Sequence, residues 1–156
     1  MNGFRYLSDE FALIDPKTLR VVPFPRNLYI YKKIEKLSRI LSQVQSGPER
    51  ALSLHCTESR SSVLFHVPDE LKGEVSPVRY VIFPKYCPGA RPQLTKITRG
   101  SALLGMVKSS LNFLDHRELA IHTLTELLQN VECFSLTTGH LQESVDLLSD
   151  LSVHAR

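Results

Sequence analysis

VRYVIF, residues Val78–Phe83, is the stretch on which the reading of the fold turns. It is rich in β-branched and aromatic residues, which fit a pleated sheet. Its apolar run is nearly continuous rather than alternating, which predicts a strand buried on both faces. Pro84 follows and is expected to end the strand. Beyond it, PKYCPGARP (Pro84–Pro92) reads as a rigid, turn-rich loop, and Gln93–Ile97 as a short strand.

Three helices and one more strand are expected downstream. The first helix spans about Ser101–Asn112, with Leu103, Leu104, Val107 and Leu111 inward. The second starts at Asp115, whose carboxylate is placed to cap it, with Glu118 completing a capping box. Its apolar stripe is Ala120, Leu124, Leu127, Leu128 and Val131. Cys133–Leu136 reads as a strand, and Leu141, Val145 and Leu148 mark one side of a last helix.

Upstream the signals are shorter. Val63–Val67 is a strand closed by Pro68, and Asp69–Ser76 is a polar loop. Ser59–Ser62 reads as a turn, and Glu49–Arg60 shows no clear pattern. Ile30, Ile34, Leu37, Leu41 and Val44 form the stripe of an amphipathic helix that Ser46, Gly47 and Pro48 terminate. Pro23–Arg26 breaks any sheet. Phe11–Ile14 and Leu19–Val22 flank the turn Asp15–Thr18, which predicts a β-hairpin, and Phe4–Leu7 reads as a short strand. A strand-rich first half and a helical second half predict an α/β (or α+β) fold, a mixed β-sheet with helices packed against it.

The chain has 156 residues, 42% hydrophobic and 22% charged, which suits a single globular domain, 1–156. No apolar run reaches the ~18 residues of a bilayer span, and Met1–Glu10 lacks the apolar core of a secretory signal. Cys56, Cys87 and Cys133 are scattered and odd in number, which points to a reducing, cytoplasmic setting. A net charge of +3 is too mild for a nucleic-acid binder. Lys32, Lys36 and Arg39 fall on one helical face, with Lys33 beside them. A solvated face is the ordinary reading, and a surface for anions or an acidic partner is the other.

Motifs for catalysis are sparse. Gly100–Ser109 approaches a P-loop, but Lys108 falls two residues late and the segment reads as a helix throughout. Neither GxSxG nor HExxH occurs. His55 with Cys56, and His116 with His122, lack metal-site spacing. Asp9 and Glu10 are the suggestive pair. Adjacent acids after a strand can hold Mg²⁺, one directly and one through water or as a base, with phosphates opposite. Exposed acids in a hairpin connection are the plainer alternative.

A family resemblance bears on that pair. Leu7–Pro16 (LSDEFALIDP), followed by Pro23–Arg26, resembles the segment after the P-loop in HPr kinase-related proteins, relatives of the HPr serine kinase/phosphorylase with a phosphoenolpyruvate carboxykinase-like fold. Tyr80–Ala90 is similar to a strand and loop of that group, where Arg is usual at the position of Lys85. Ala102–Phe113, and Cys133–Leu136 with the helix around Glu143–Val145, follow in the same order. The resemblance touches nearly the whole chain.

It implies an ATP-dependent protein serine kinase or phosphotransferase using Mg²⁺ and ATP, with a protein or peptide as substrate. Asp9 is then the metal ligand and Glu10 the second, catalytic carboxylate. By charge, Lys85 and Arg91 are the candidates to face phosphate, with Gly89 permitting the turn. Loop geometry and surface charge are the alternative for these three. The family's P-loop precedes the acidic segment, and only eight residues precede Asp9 here. The expectation is therefore a C-terminal part, inactive alone, that works with a P-loop-bearing chain or as a homo-oligomer. The competing expectation is a non-catalytic protein- or peptide-binding module that uses an open sheet edge. An unrelated small enzyme is the third, without a visible nucleophile–base set.

Overall fold

The computed structural model describes residues 4–26, 28–32, 52–57, 60–65 and 72–153. Its contacts divide the chain into two compact units. One comprises Met1–Phe4, Ile14–Val21 and Ser76–Arg156; the other comprises Arg5–Leu13 and Val22–Val75. The fold is α+β, with strands concentrated in the first half and helices in the second.

In the larger unit, β7 (Tyr80–Tyr86), β9 (Glu132–Thr138) and β8 (Gln93–Lys96) form a sheet in the order β7-β9-β8. β7 and β9 run parallel, and β8 runs antiparallel to β9. Helices α1 (Arg99–Ser109) and α2 (Arg117–Gln129) lie between β8 and β9 in sequence, and α3 (Leu141–Val153) follows β9. Side chains alternate across a strand, and the alternation sorts the layers. Val81, Phe83 and Cys133 pack with Ala102, Leu103 and Met106 of α1 and Leu127 and Leu128 of α2. On the opposite face the Tyr80 hydroxyl donates to the Leu151 carbonyl of α3 at 3.3 Å, and the Tyr80 and Phe134 rings stand 6.1 Å apart. Tyr80–Phe83 thus have neighbours on both faces but are only half-buried, and Arg79 is exposed, so the full burial that the continuous apolar run predicts is not reached.

The stripe on α2 is equally well placed. Leu124, Leu127, Leu128 and Val131 are buried, and Leu128 is only 2% exposed. Gly105 lets α1 approach β7 closely, for a Cβ there would lie 2.6 Å from the Phe83 ring. The predicted hairpin is present as β1 (Leu13–Ile14) and β2 (Arg20–Val22), which join β6 (Ser76–Pro77) in the order β1-β2-β6. Asp15 closes its turn by accepting from the Lys17 amide at 2.9 Å and the Thr18 hydroxyl at 2.8 Å. These bonds hold its carboxyl below the usual carboxylate range. Leu19 completes the turn at φ 55, a backbone region that seldom takes a leucine. Its packing against the core holds it there.

In the other unit, β3 (Leu28–Lys32), β5 (Arg60–Phe65) and β4 (Leu52–Thr57) form an antiparallel sheet in the order β3-β5-β4. Tyr6 bridges Lys72 in a single parallel contact. The Phe11 and Phe24 rings lie 6.3 Å apart.

Several expectations are corrected. β7 runs through Pro84 to Tyr86 instead of ending at Phe83. The bonds Glu132 N–H to Arg79 C=O and Cys87 N–H to Thr138 C=O fix the parity of the β7–β9 ladder. Odd-numbered residues of β7 bond β9, and even-numbered ones present their backbone to the other side. Pro84 is even, so its missing N–H removes no ladder bond.

The first helix stops at Ser109, and Ser110 bonds the Met106 carbonyl with its hydroxyl. Leu111 is consequently 78% exposed, and Leu104 is 64% exposed rather than inward. Asp115 does not cap α2. His116 holds the N-cap position without a side-chain bond, so no capping box forms. Leu141 is also exposed. Leu28–Lys32 and Leu52–Thr57 are strands where a helix start and an unpatterned stretch were expected, and Arg60–Ser62 belongs to β5 rather than a turn. Phe4–Leu7 holds one bridge and no strand. The rest of the predicted helix, from Lys33 to Val44, lies outside the described residues.

Candidate functional site

The carboxyl ends of β7 and β9 carry the most developed constellation among the described residues. Ligands of open α/β sheets generally bind beyond the carboxyl ends of the strands. Lys85 on β7 and Gln93 on β8 both register with Thr137 of β9. The segment between them therefore arches over the end of β9, from one outer strand to the other, across two strand spacings of ~4.8 Å each.

Three features fix this arch. Cys87 N–H donates to the Thr138 carbonyl at 2.8 Å, and Ala90 N–H donates to the Cys87 carbonyl at 3.1 Å. Gly89 takes φ 75, which glycine adopts without strain. Beneath the arch the chain leaves β9 at Gly139. A Cβ on Gly139 would lie 2.7 Å from both the amide nitrogen and the carbonyl oxygen of Ala90.

Along the face that meets α1 and α2, the rungs change character. Val81 registers with Cys133, and Phe83 with Ser135. The last rung is Lys85, Thr137 and Gln93, polar throughout. Lys85 and Arg91, singled out by charge, thus stand on opposite legs of the arch, and both are exposed. Thr137, Gln93 and Gly139 were not legible as members of the site. A glycine directly after a strand and before a helix was the available signal for Gly139. Where β9 turns into α3, Thr138 Oγ1 and Ser144 Oγ lie 2.6 Å apart, and the Ser144 hydroxyl also reaches the His140 carbonyl at 2.8 Å.

Asp9 and Glu10 belong to the other compact unit. They sit in an exposed bend after Ser8, whose hydroxyl accepts from the Phe11 amide at 3.2 Å. Glu10 is held by Arg26, with guanidinium to carboxylate at 2.9 Å. Arg26 in turn accepts the Tyr6 hydroxyl on its carbonyl at 3.1 Å. Burial and the nearby Asp9 charge raise the Tyr6 phenol above its ordinary pKa. Among the described residues, no group of three or more His, Cys, Asp or Glu is placed to hold a metal ion. Mg²⁺ can bind through one or two carboxylates plus substrate phosphates, and Asp9 is an exposed carboxylate.

Other candidates carry less. Gly100–Ser109 is the body of α1, so it cradles no phosphate. His122 Nδ1 stands 3.7 Å from Glu126 on the exposed side of α2. An open concavity of about 840 Å³ lies along that side, lined by Arg117, Ile121 and Gln129 among others. No helix among the described residues is long and apolar enough to cross a membrane.

No family model matches the chain, and no curated protein or solved structure matches it.

Proposed function

We propose that this chain is the part of an HPr kinase-related phosphotransferase that follows the P-loop, and that the arch at the carboxyl ends of β7 and β9 faces the phosphates of ATP. The observation that carries the reading is the placement of Lys85 and Arg91 on the two legs of one braced loop, at the end of a sheet where ligands of such folds bind. Phosphoryl transfer asks a protein chiefly for positioning and positive charge. In this reading Asp9 contributes a carboxylate to Mg²⁺, Glu10 is the catalytic carboxylate, and a P-loop-bearing segment completes the site. The phosphoacceptor is a protein or peptide, and the setting is the cytoplasm.

The test is calorimetric titration of Mg-ATP into the wild-type chain and the Lys85→Ala/Arg91→Ala double variant. Weak saturable binding, reduced at least fivefold in the double variant, is expected. Binding that ignores both substitutions, or no binding even when a P-loop-bearing segment is added, sinks the reading.

A second reading is a non-catalytic module that binds a protein or peptide as an added strand. Among the described residues no strand pairs with the outer side of β7, where the backbone of Tyr80, Ile82 and Tyr86 points. Full activity of an Asp9→Ala/Glu10→Ala variant in cells would favour it.

A further inference from the structure

We infer that Gly139 is a positioning residue, which holds the 87–92 arch down on the end of β9 so that Lys85 and Arg91 grip a polyphosphate together. The choice of ligand rests on the phosphotransferase reading; the brace itself does not. β9 has partners on both sides, so its outgoing chain must pass under the loop that joins them. Only a residue without a Cβ passes there, because backbone atoms of Cys87 and Ala90 occupy the space a side chain needs. Backbone cannot swing aside as a side-chain tip can. A methyl group at position 139 must lift the arch, breaking the bond from Cys87 N–H to the Thr138 carbonyl.

Lys85 is anchored in the ladder below the arch, whereas Arg91 rides on the arch itself. Lifting the arch therefore changes the separation of the two cations. Rigid spacing is what a chain of linked phosphates selects, since a single orthophosphate is engaged by either cation alone. The inference thus predicts that Gly139 matters for tripolyphosphate and far less for orthophosphate.

The experiment follows backbone amide shifts of the full chain while tripolyphosphate, then orthophosphate, is titrated into the wild type, Gly139→Ala and Gly89→Val. Hydrogen exchange at Cys87 and Ala90 is recorded alongside. Gly89 has open space around it, so valine there strains the same arch from the solvent side and leaves the fold intact. It serves if Gly139→Ala does not fold. Gly89→Asn, which tolerates positive φ, is the conservative rescue.

The expected result is lost protection at Cys87 with at least tenfold weaker tripolyphosphate binding in Gly139→Ala or Gly89→Val. Orthophosphate binding stays within about twofold, and Gly89→Asn is near wild type. Unchanged tripolyphosphate affinity in a variant whose Cys87 amide has lost protection overturns the inference and leaves the phosphotransferase reading standing. A wild-type chain that binds tripolyphosphate nowhere near residues 85–92 overturns that reading and the ligand assignment with it. Cys87 protection in Gly139→Ala still decides the brace.

Discussion

Val81→Pro and Pro84→Thr place opposite changes three residues apart on one strand, and the ladder parity predicts that their costs differ severalfold. Val81 is odd, so its N–H faces β9 and pairs with the Glu132 carbonyl. Proline there deletes a hydrogen bond worth about 1 kcal/mol net and leaves an acceptor unsatisfied at about 1–3 kcal/mol more. Shortening the packed side chain adds about 1 kcal/mol, which a Val81→Ala control measures separately. The sum is roughly 3–5 kcal/mol. Pro84 is even, so threonine there removes nothing from the ladder. It frees the unfolded chain by about 0.4–1 kcal/mol of entropy, and the better strand propensity of threonine offsets part of that. Its net cost is below about 1 kcal/mol. Urea denaturation followed by circular dichroism reads both, from the midpoint shift at constant slope. If Val81→Pro costs no more than its alanine control, or if Pro84→Thr costs as much as Val81→Pro, the register assigned to β7 and β9 is wrong.

The remaining predictions concern single groups. Leu128→Ala empties the most deeply buried side chain of the α2 stripe and should cost about 2–5 kcal/mol in the same urea assay; a cost under 1 kcal/mol would show that the site collapses. The Asp15 carboxyl is held below its ordinary pKa by bonds from Lys17 and Thr18, so its contribution is present above the unfolded value of ~3.9 and lost as pH falls through the folded value. Asp15→Asn should therefore flatten the acid limb of the melting curve below about pH 4 and change little at neutral pH. Burial raises the thiol pKa of Cys133 while Cys87 is exposed, so alkylation mapped by peptide mass spectrometry should label Cys87 at once and Cys133 only on unfolding. Equal rates at the two would contradict the packing of β9.

What the sequence revealed follows from how far each signal reaches along the chain. The strand character of VRYVIF and the burial of the α2 leucines lie in composition and period, so both are readable locally. Leu52–Thr57 is not, although Leu52, Leu54 and Cys56 alternate with Ser53, His55 and Thr57. A polar alternate face makes such a stretch look like a loop until its partner is known. The spacing of Ile30 and Ile34 predicts a helix, whereas the tyrosines on either side of Ile30 favour the strand that Leu28–Lys32 forms. Period alone places Leu111 inward, but it does not report that the helix has already ended at Ser109. The rule that proline ends a strand holds for ladder positions facing a neighbour, and parity exempts Pro84. At the site, the charges of Lys85 and Arg91 were visible and the arch was not. The arch exists only because two strands, neighbours in sequence, register with one distant residue, Thr137.

The order β7-β9-β8 also sets a schedule for assembly. β7 and β8 are made first and close together, yet they never pair; a strand made after two further helices must enter between them. Until it does, Val81 and Phe83 lack Cys133 and Ser135, the residues that register with them on β9. A chain stalled before residue 132 should be the species that aggregates or recruits chaperones, since closing a parallel pair across so long a connection is intrinsically slow.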